Sequence, residues 1–341
     1  MMSVPQPAVF WCLLGAFLWA AAGQAWAADL SPPLVLEATI LLPHTSGRID
    51  HMAVDLRRGR LFVAELGNGT LDVIDIAGRR VVQRVGGFKD PQGVGYSPAA
   101  DVVSVASAGD GSVRLFQGED LSLTGVIDLG DDADNVRVDP RSGQVFVGYG
   151  KGGLAIVDPA SRSVVSLVKL PAHPEGFGID PAAHRAYVNV PDAHAIAVVD
   201  LEAGRQTATW QVPGLRASYP MALDETQGVL ATAFWNPARL VLLDTVNRAV
   251  KANTEICGDA DDVFFDAKRR RIYVSCGEGM VDVLQGDAAG YHPLARIPTH
   301  SGARTSLFVP ELDRLFVAAR AGLLGSDAAL LVFRPPLRGV I

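Results

Sequence analysis

The chain has 341 residues, of which 49% are hydrophobic and 20% are charged, with a formal net charge of -7 and a pI near 5.5. This acidic balance gives no electrostatic footprint for nucleic acid or for anionic lipid, so we expect neither as a partner. The length could accommodate two domains, but internal repeats favour a single one.

The N-terminal segment is typical of a secretory signal peptide. An apolar run at residues 8–22, AVFWCLLGAFLWAAA, is followed by the small-x-small pattern AWA that ends at Ala27. We predict cleavage after Ala27 and a periplasmic or secreted mature protein with no membrane association. No Lys or Arg precedes the run, so an uncleaved anchor stays open as an alternative. Only Cys257 and Cys276 follow the cleavage site, and an even pair in an exported protein predicts one disulfide.

The stretch from Arg48 to Val85 is the template that the rest of the chain copies. It holds four short apolar runs, HMAVD, RLFVA, LDVID and VVQRV, which are separated by the turn sequences RRG, GNG and AGR. Runs of strand length around an Asn-Gly turn predict a four-stranded antiparallel meander.

Six further copies follow at intervals of 41 to 44 residues. The position that ends the first strand of each copy is occupied by Asp55, Ser97, Asp139, Asp180, Asp224, Asp266 and Pro310. A period near 42 with four strands per unit is typical of β-propeller blades. We therefore predict an all-β, seven-bladed β-propeller with four-stranded antiparallel blades, forming a single domain over residues 28–341. The predicted blades begin near residues 48, 90, 132, 173, 217, 259 and 302.

The seventh copy lacks its fourth strand, because Pro335-Pro336 follow its third strand at residues 329–333. A free strand is available at the other end of the chain, in residues 34–42, LVLEATILL. We predict that this strand pairs with the last blade and closes the ring.

The second and third strands of the copies carry a family resemblance. The sequences LFVAELGNGTLDVID, VFVGYGKGGLAIVD and AYVNVPDAHAIAVVD resemble the YVTN repeat of YncE-type bacterial β-propellers, over about Arg48 to Pro335. The resemblance implies seven blades and a periplasmic or surface location. It implies no catalytic set, and fold alone does not decide function. Structural relatives with similar repeats include lactonases, haem d1 nitrite reductase domains and quinoprotein heavy chains, so an enzyme stays open.

The segments that lead into the first strand of each blade, which we call lead-in segments, crowd one face around the channel of a propeller. Concave convergence points of this kind favour ligand binding. The lead-in segments are acidic, most of all at residues 131–134 and 259–262. The candidate ligand-binding residues on this channel face are Arg48, Asp50, His51, Asp134, Glu175, Tyr219, Asp261 and Arg304.

A divalent cation is the expected cofactor, if the protein has one. Carboxylates that converge from different blades suit Ca²⁺, whereas His51, His173 and His300 would suit zinc or copper if they met. The candidate metal ligands are His51, Asn135, Glu175 and Asp262. The same side chains could instead cap turns. Covalent haem is not expected, because CxxCH is absent.

Three functions stay open. The leading one is a monomeric, non-catalytic binding or scaffold protein that holds a small polar ligand, a cation or a periplasmic protein partner at the channel face. A second is a metal-dependent hydrolase, lactonase or lyase that uses lead-in carboxylates and His51. A third is an accessory subunit of a periplasmic redox enzyme. Away from this face, the basic run Lys268–Arg271 is predicted to be a solvated turn.

Overall fold

Short apolar runs separated by Asp- and Gly-containing turns fold into 28 β-strands in the computed structural model, which describes residues 1–2, 32–322 and 327–336. The strands form seven four-stranded antiparallel sheets arranged as blades in a ring. The predicted seven-bladed β-propeller is therefore confirmed. Two short 3-10 turns, Leu66–Asn68 and Pro191–Ala193, interrupt the strands.

The described residues of the propeller belong to one compact unit. The predicted signal peptide and its cleavage after Ala27 lie outside the described residues. In the part of the chain that is described, no helix has the length and apolar character needed to cross a membrane.

Each blade uses four consecutive strands, except the last. Blade 1 consists of β2 (Met52–Asp55), β3 (Arg60–Glu65), β4 (Thr70–Asp75) and β5 (Arg80–Gly86), and blade 2 of β6 (Pro91–Ser97), β7 (Val102–Ser107), β8 (Ser112–Gln117) and β9 (Leu123–Asp128). Blade 3 consists of β10 (Ala133–Val138), β11 (Val145–Tyr149), β12 (Gly153–Asp158) and β13 (Ser163–Lys169), and blade 4 of β14 (Phe177–Asp180), β15 (Arg185–Val190), β16 (Ala195–Asp200) and β17 (Arg205–Trp210). Blade 5 consists of β18 (Arg216–Asp224), β19 (Val229–Asn236), β20 (Ala238–Asp244) and β21 (Val250–Glu255), and blade 6 of β22 (Ala260–Asp266), β23 (Arg271–Cys276), β24 (Met280–Asp287) and β25 (Gly290–Pro298). Blade 7 consists of β26 (Ser306–Val309), β27 (Arg314–Ala319), β28 (Ala328–Arg334) and the N-terminal strand β1 (Val35–Leu42).

Aspartates at the ends of strands shape the tight turns between them. The carboxylate of Asp75 accepts a hydrogen bond from the backbone N–H of Gly78 at 3.0 Å, and that of Asp158 accepts one from Ala160 at 2.9 Å. Asp side chains satisfy turn backbone in this way at low conformational cost. The recurrence of aspartate at these positions is therefore structural.

The ring closes through pairing of the two ends of the propeller. Strand β1 pairs antiparallel with β28, from Val35 opposite Arg334 to Leu42 opposite Ala328. Ile40 and Leu42 point into the core, whereas Leu41 between them is 57% exposed. The predicted closure by residues 34–42 is confirmed.

The core is divided among the blade interfaces. Within the described residues, seven apolar clusters occur, and each combines side chains of two neighbouring blades. One cluster joins Leu42 and Phe316 of blade 7 to Met52 and Leu61 of blade 1. Inner strands are consequently buried on both faces, which explains their unbroken apolar runs.

A disulfide joins Cys257, which lies just before β22, to Cys276 at the end of β23. Both residues are buried, and they also belong to the apolar cluster between blades 5 and 6. The bond therefore ties the lead-in segment of blade 6, which carries Asp259, Asp261 and Asp262, to the second strand of its own blade.

Reduction of this disulfide should lower the free energy of unfolding by about 3 kcal/mol, since the bond closes a short loop in the unfolded chain. The measurement is denaturant unfolding of the wild-type protein with and without a phosphine reductant. The Cys257→Ala/Cys276→Ala double variant is the control, because reductant should leave its unfolding curve unchanged. Two titratable thiols in the unreduced, denatured wild-type protein would contradict the bond.

The basic run Lys268–Arg271 differs from its prediction. Lys268 is exposed, but the side chain of Arg269 is only 4% exposed and pairs with Asp266 at 3.0 Å and with Asp313 at 2.6 Å. Arg271 is also buried and donates a hydrogen bond to the carbonyl oxygen of Pro33 at 3.0 Å. The prediction of a solvated turn is wrong for these two arginines, because blade 7 and the start of β1 cover them.

Candidate functional site

The lead-in segments of several blades converge on a small cavity of about 20 Å³ in the channel. The residues that line it are Arg48, His51, Asp134, Asn135, Arg137, Glu175, Gly176, Tyr219, Pro220 and Asp261. Six of the eight predicted ligand-binding residues are in this set. The other two, Asp50 and Arg304, lie beside it, in contact with Arg48 and Asp261 respectively. The blades thus bring the predicted residues to one place.

Blade 1 contributes Arg48, Asp50 and His51 from the segment before β2. Asp50 is almost fully buried, and the Arg48 guanidinium lies 2.8 Å from its carboxylate. Burial raises the pKa of Asp50 well above its usual range, although Arg48 opposes the shift. Burial and the charge of Arg137 lower the pKa of His51 to about 3, so His51 is a neutral imidazole.

Blade 6 contributes a set of three aspartates at the start of β22. Asp261 lies 3.2 Å from the Arg304 guanidinium, and Asp259 lies 2.8 Å from it. Asp262 accepts a hydrogen bond from the Ser306 backbone at 2.7 Å and has an oxygen 3.9 Å from His51. Burial raises the pKa of Asp261, and raises that of Asp262 well above its usual range. These carboxyls are thus poorly solvated, and the nearby arginines offset the effect of burial only in part.

Blades 3 and 4 place Asp134, His173 and Glu175 side by side. The His173 Nε2 lies 3.8 Å from an Asp134 oxygen, and its Nδ1 lies 2.7 Å from the carbonyl oxygen of Gly150. Burial would lower the pKa of His173, but the nearby Asp134 carboxylate and the hydrogen bond to Gly150 outweigh it and raise that pKa to about 9. Burial and the nearby charge of Asp134 raise the pKa of Glu175 to about 8.

Close approach of two backbones holds Glu175 in position. The N–H of Gly176 donates a hydrogen bond to the carbonyl oxygen of Tyr219 at 2.9 Å. A Cβ at Gly176 would lie only 2.5 Å from that same oxygen, so only glycine fits there. Blade 4 consequently delivers Glu175 against blade 5, next to the Tyr219 ring.

Aromatic side chains form the side of the site near blade 5. The Tyr219 and Trp235 rings stack with centroids 4.0 Å apart, and the Trp235 indole N–H donates to the Ala260 carbonyl oxygen at 2.6 Å. The Arg304 guanidinium lies 5.8 Å from the centre of the Trp235 ring. Arg304 therefore lies between the Trp235 ring and the Asp261 carboxylate.

Several buried polar atoms of the site make no hydrogen bond of good geometry within the described residues, although two of the carboxylates have an arginine nearby. Within the described residues, neither carboxylate oxygen of Asp50 has hydrogen-bond geometry with a donor, and Asn135 Oδ1 and Asp261 Oδ2 are in the same condition. Each buried polar group left unpaired costs about 1–3 kcal/mol. Buried polar groups normally have partners, so these atoms could bind a polar ligand in the channel.

A second cavity of about 160 Å³ adjoins the first and shares Arg48 with it. Arg304 and Arg320 also line it, together with Asp259 and the backbone of Gly302. Arg320 is exposed and makes no hydrogen bond or ion pair to the rest of the described chain. This cavity offers guanidinium groups to an anionic group that extends from the channel.

The predicted metal candidates are only partly brought together. His51, Asn135 and Glu175 line the small cavity, and Asp262 lies behind His51. Within the residues described, the group of acidic and histidine side chains with the spacing of metal ligands is instead Asp134, His173 and Glu175. His300 is exposed and is not part of that group.

Two charged residues of the site fell outside the predicted ligand-binding set. Arg137 lies in β10, half-buried, and burial lowers its pKa although Asp262 and Asp134 oppose the shift. Its sequence context, VRVDP, reads as an ordinary strand and gives no signal of a channel position. His173 does lie in a lead-in segment, and that position could have placed it beside Asp134.

Comparison with known proteins establishes the fold and nothing finer. No protein-family model matches the chain, and no curated protein sequence matches it. Among solved structures, a chain of Kuenenia stuttgartiensis hydrazine synthase is similar over 87% of this chain and 98% of its own length, with 14% identity and a TM-score of 0.72. A chain in the crystal structure of the mitotic checkpoint complex is similar over 96% and 99%, with 13% identity and a TM-score of 0.77.

The chain is a seven-bladed β-propeller. At these identities the neighbours share only the fold, and the same architecture serves unrelated activities. The function of this propeller must therefore be argued from its own channel residues.

Proposed function

We propose that this β-propeller is an exported, monomeric, non-catalytic binding protein of the YncE/YVTN type that holds a small polar ligand in its channel. The observation that carries the proposal is the buried Asn135 Oδ1, which has no partner within the described residues. Beside it lie the buried carboxylates of Asp50 and Asp261 from two other blades, whose ion pairs with Arg48 and Arg304 do not have hydrogen-bond geometry. A ligand that pairs with these atoms would recover the free energy that their burial costs.

The charged residues that line the two cavities indicate which charges the ligand carries. Three carboxylates and two guanidinium groups line the small cavity. A cation or a cationic group is favoured where Asp134 and Glu175 lie together. The adjoining cavity carries Arg48, Arg304 and Arg320 and favours an anionic group. The two cavities together fit a ligand or ligand pair with both charges.

The disulfide and the N-terminal sequence support export. Disulfides persist in oxidising compartments, and the Cys257–Cys276 bond fits the periplasmic or secreted location that the apolar run before Ala27 predicts. The hydrolase or lyase and the redox accessory subunit stay predictions, since no group of the site is singled out as a nucleophile.

The experiment compares two buried asparagines that differ in their hydrogen bonds. Asn189 donates to the carbonyl oxygens of Tyr219 and Pro220 and accepts from Thr232, whereas Asn135 Oδ1 is unpaired within the described residues. In ligand-free protein, Asn135→Leu should keep or raise the free energy of unfolding by about 0.5–2 kcal/mol. Asn189→Leu should lower the free energy of unfolding by about 1–3 kcal/mol or more, because the buried partners of Asn189 lose their hydrogen bonds.

Denaturant unfolding followed by circular dichroism measures both values. A polar group that serves binding does not need to stabilise the fold. The free energy of unfolding should therefore rise or stay unchanged in Asn135→Leu and fall in Asn189→Leu. If Asn135→Leu destabilises the protein as much as Asn189→Leu, Asn135 is a structural residue and the binding function loses its support.

A further inference from the structure

We propose that the channel holds one divalent transition-metal ion, bound by Asp134, His173 and Glu175, with the side-chain carbonyl oxygen of Asn135 as a further ligand. This inference rests on the proposed function, because it names the ligand of the same channel site. The four residues come from blades 3 and 4 only, on β10 and on the lead-in segment of blade 4.

The spacing of the ligand atoms fits a single ion. One ligand atom from each of Asp134, His173 and Glu175 lies within 4.8 Å of the other two. Ligand atoms bound to one ion at about 2.0–2.2 Å lie roughly 3–4 Å from each other. The His173 Nε2 to Asp134 distance of 3.8 Å already meets this requirement, and small side-chain rotations close the rest.

The imidazole of His173 is oriented as a metal ligand. Its Nδ1 lies 2.7 Å from the Gly150 carbonyl oxygen, which can only accept, so Nδ1 carries a hydrogen and donates. Nε2 is then the atom that faces Asp134, whereas the Asp132 carboxylate lies on the other side of the ring, 3.4 Å from Nδ1. Metal-binding histidines almost always use their second ring nitrogen in this way, and the backbone contact fixes the direction of the ring.

Asn135 supplies an independent indication of a ligand. The residue is only 4% exposed, and its Oδ1 has no partner within the described residues. It lines the same cavity as Asp134 and Glu175, which Arg48 and Arg137 also line. The cavity of about 20 Å³ has room for one ion or one water molecule and excludes an organic ligand. A cation is the occupant that would satisfy an amide oxygen and two carboxylates at once.

The ligand types select the class of metal. Calcium takes six to eight oxygen ligands, whereas this set contains an imidazole nitrogen and few oxygens. Imidazole with carboxylates suits first-row divalent ions such as Zn²⁺ and Co²⁺. The two carboxylates of Asp134 and Glu175 balance the charge of such an ion. The structure thus favours zinc-like metals over the calcium that the acidic lead-in segments alone indicated.

The test is calorimetric titration of the EDTA-dialysed protein with ZnCl₂. We expect one equivalent to bind and the melting temperature to rise by several degrees, with reversal by EDTA. Glu175→Gln and His173→Ala should weaken binding by more than about 100-fold, and Asn135→Leu by about 10-fold or more. The control is His184→Ala, which removes an exposed histidine that lies 3.6 Å from Glu202, and it should bind as the wild type does.

A measurement on the unaltered protein guards against variants that do not fold. Addition of Co²⁺ to the wild type should give visible absorption bands of nitrogen and oxygen coordination with one-to-one saturation, and ZnCl₂ should remove them. Circular dichroism identifies variants that have lost the fold. The proposal is overturned if neither metal binds saturably, or if folded Glu175→Gln and His173→Ala bind zinc as tightly as the wild type does.

The outcomes separate the metal from the binding function. If no metal binds but Asn135→Leu and Asn189→Leu still shift stability in opposite directions, the channel is a binding site for another class of ligand and only the metal assignment fails. If the two asparagine variants behave alike and no metal binds, both proposals fail.

Discussion

Replacing Leu42 by alanine should lower the free energy of unfolding by about 3 kcal/mol. Leu42 lies at the end of the closing strand β1, is fully buried, and packs in the cluster that joins blade 7 to blade 1. Truncation of a buried leucine removes apolar contacts and leaves a cavity, which typically costs about 2–5 kcal/mol. Urea unfolding followed by tryptophan fluorescence and circular dichroism measures the change.

The neighbouring leucine provides the control. Leu41 belongs to the same strand and is 57% exposed, so Leu41→Ala should change stability by less than about 0.5 kcal/mol. Deletion of residues 34–42 should be far more damaging, because it leaves one edge of β28 without a partner strand and opens the ring. Equal effects of the two alanine variants, or an unchanged melting temperature after the deletion, would mean that β1 does not close the ring.

Replacing Arg269 by alanine should cost about 3–5 kcal/mol. The buried Arg269 guanidinium bridges Asp266 of blade 6 to Asp313 of blade 7, and the Tyr273 hydroxyl donates to the same Asp266 at 2.7 Å. Removing one member of a buried ion pair leaves the remaining charges uncompensated. Thermal and urea unfolding should both show the loss.

The adjacent Lys268 is the matched control, since it contacts the same Asp313 at 3.2 Å but is 54% exposed. Lys268→Ala should cost less than about 1 kcal/mol. Arg269→Lys should restore little, because an ammonium cannot bridge two carboxylates as the planar guanidinium does. A loss for Lys268→Ala as large as that for Arg269→Ala would contradict the assignment of the effect to burial.

The Arg269 variant should also change the acid sensitivity of the protein. Hydrogen bonds from Arg269 lower the pKa of Asp313 in the folded state, so this pair stabilises the fold above the unfolded carboxyl pKa of about 4. The contribution is lost as pH falls through the lowered folded pKa. The stability difference between wild type and Arg269→Ala should therefore be constant above about pH 4.5 and shrink below about pH 4. A difference that grows on acidification would reverse the expected sign.

The number of blades and the closing strand could be predicted from the sequence because each is recorded locally. Every blade repeats its apolar runs and its turn aspartates, and the missing fourth strand of the last copy matches the spare strand at residues 34–42. The prediction for the basic run Lys268–Arg271 was wrong because the environment of these side chains is not recorded locally. Whether Arg269 is exposed depends on the position of Asp313 in the next blade, and no local pattern records a contact between blades.

The candidate site was likewise predictable only in part. The lead-in segments identify which residues reach the channel, and six of the predicted eight line the small cavity. The sequence does not record which of them meet. Asp134 faces His173 because blades 3 and 4 are neighbours, and His51 faces Asp262 across the channel. Arg137 was missed because it lies within a strand, where alternation normally directs side chains into the blades.

The pairing of β1 with β28 has a consequence for the order in which the molecule is made. Val35 leaves the ribosome or the export machinery long before Arg334, its partner, exists. Blades 1 to 6 can each form from contiguous chain, but until blade 7 exists the first strand has no partner strand, and blade 1 alone covers Ile40 and Leu42. Contacts between such distant parts of a chain form slowly. The last step of maturation is then the meeting of the two ends, and a chaperone that shields the emerging segment would protect the protein during that interval.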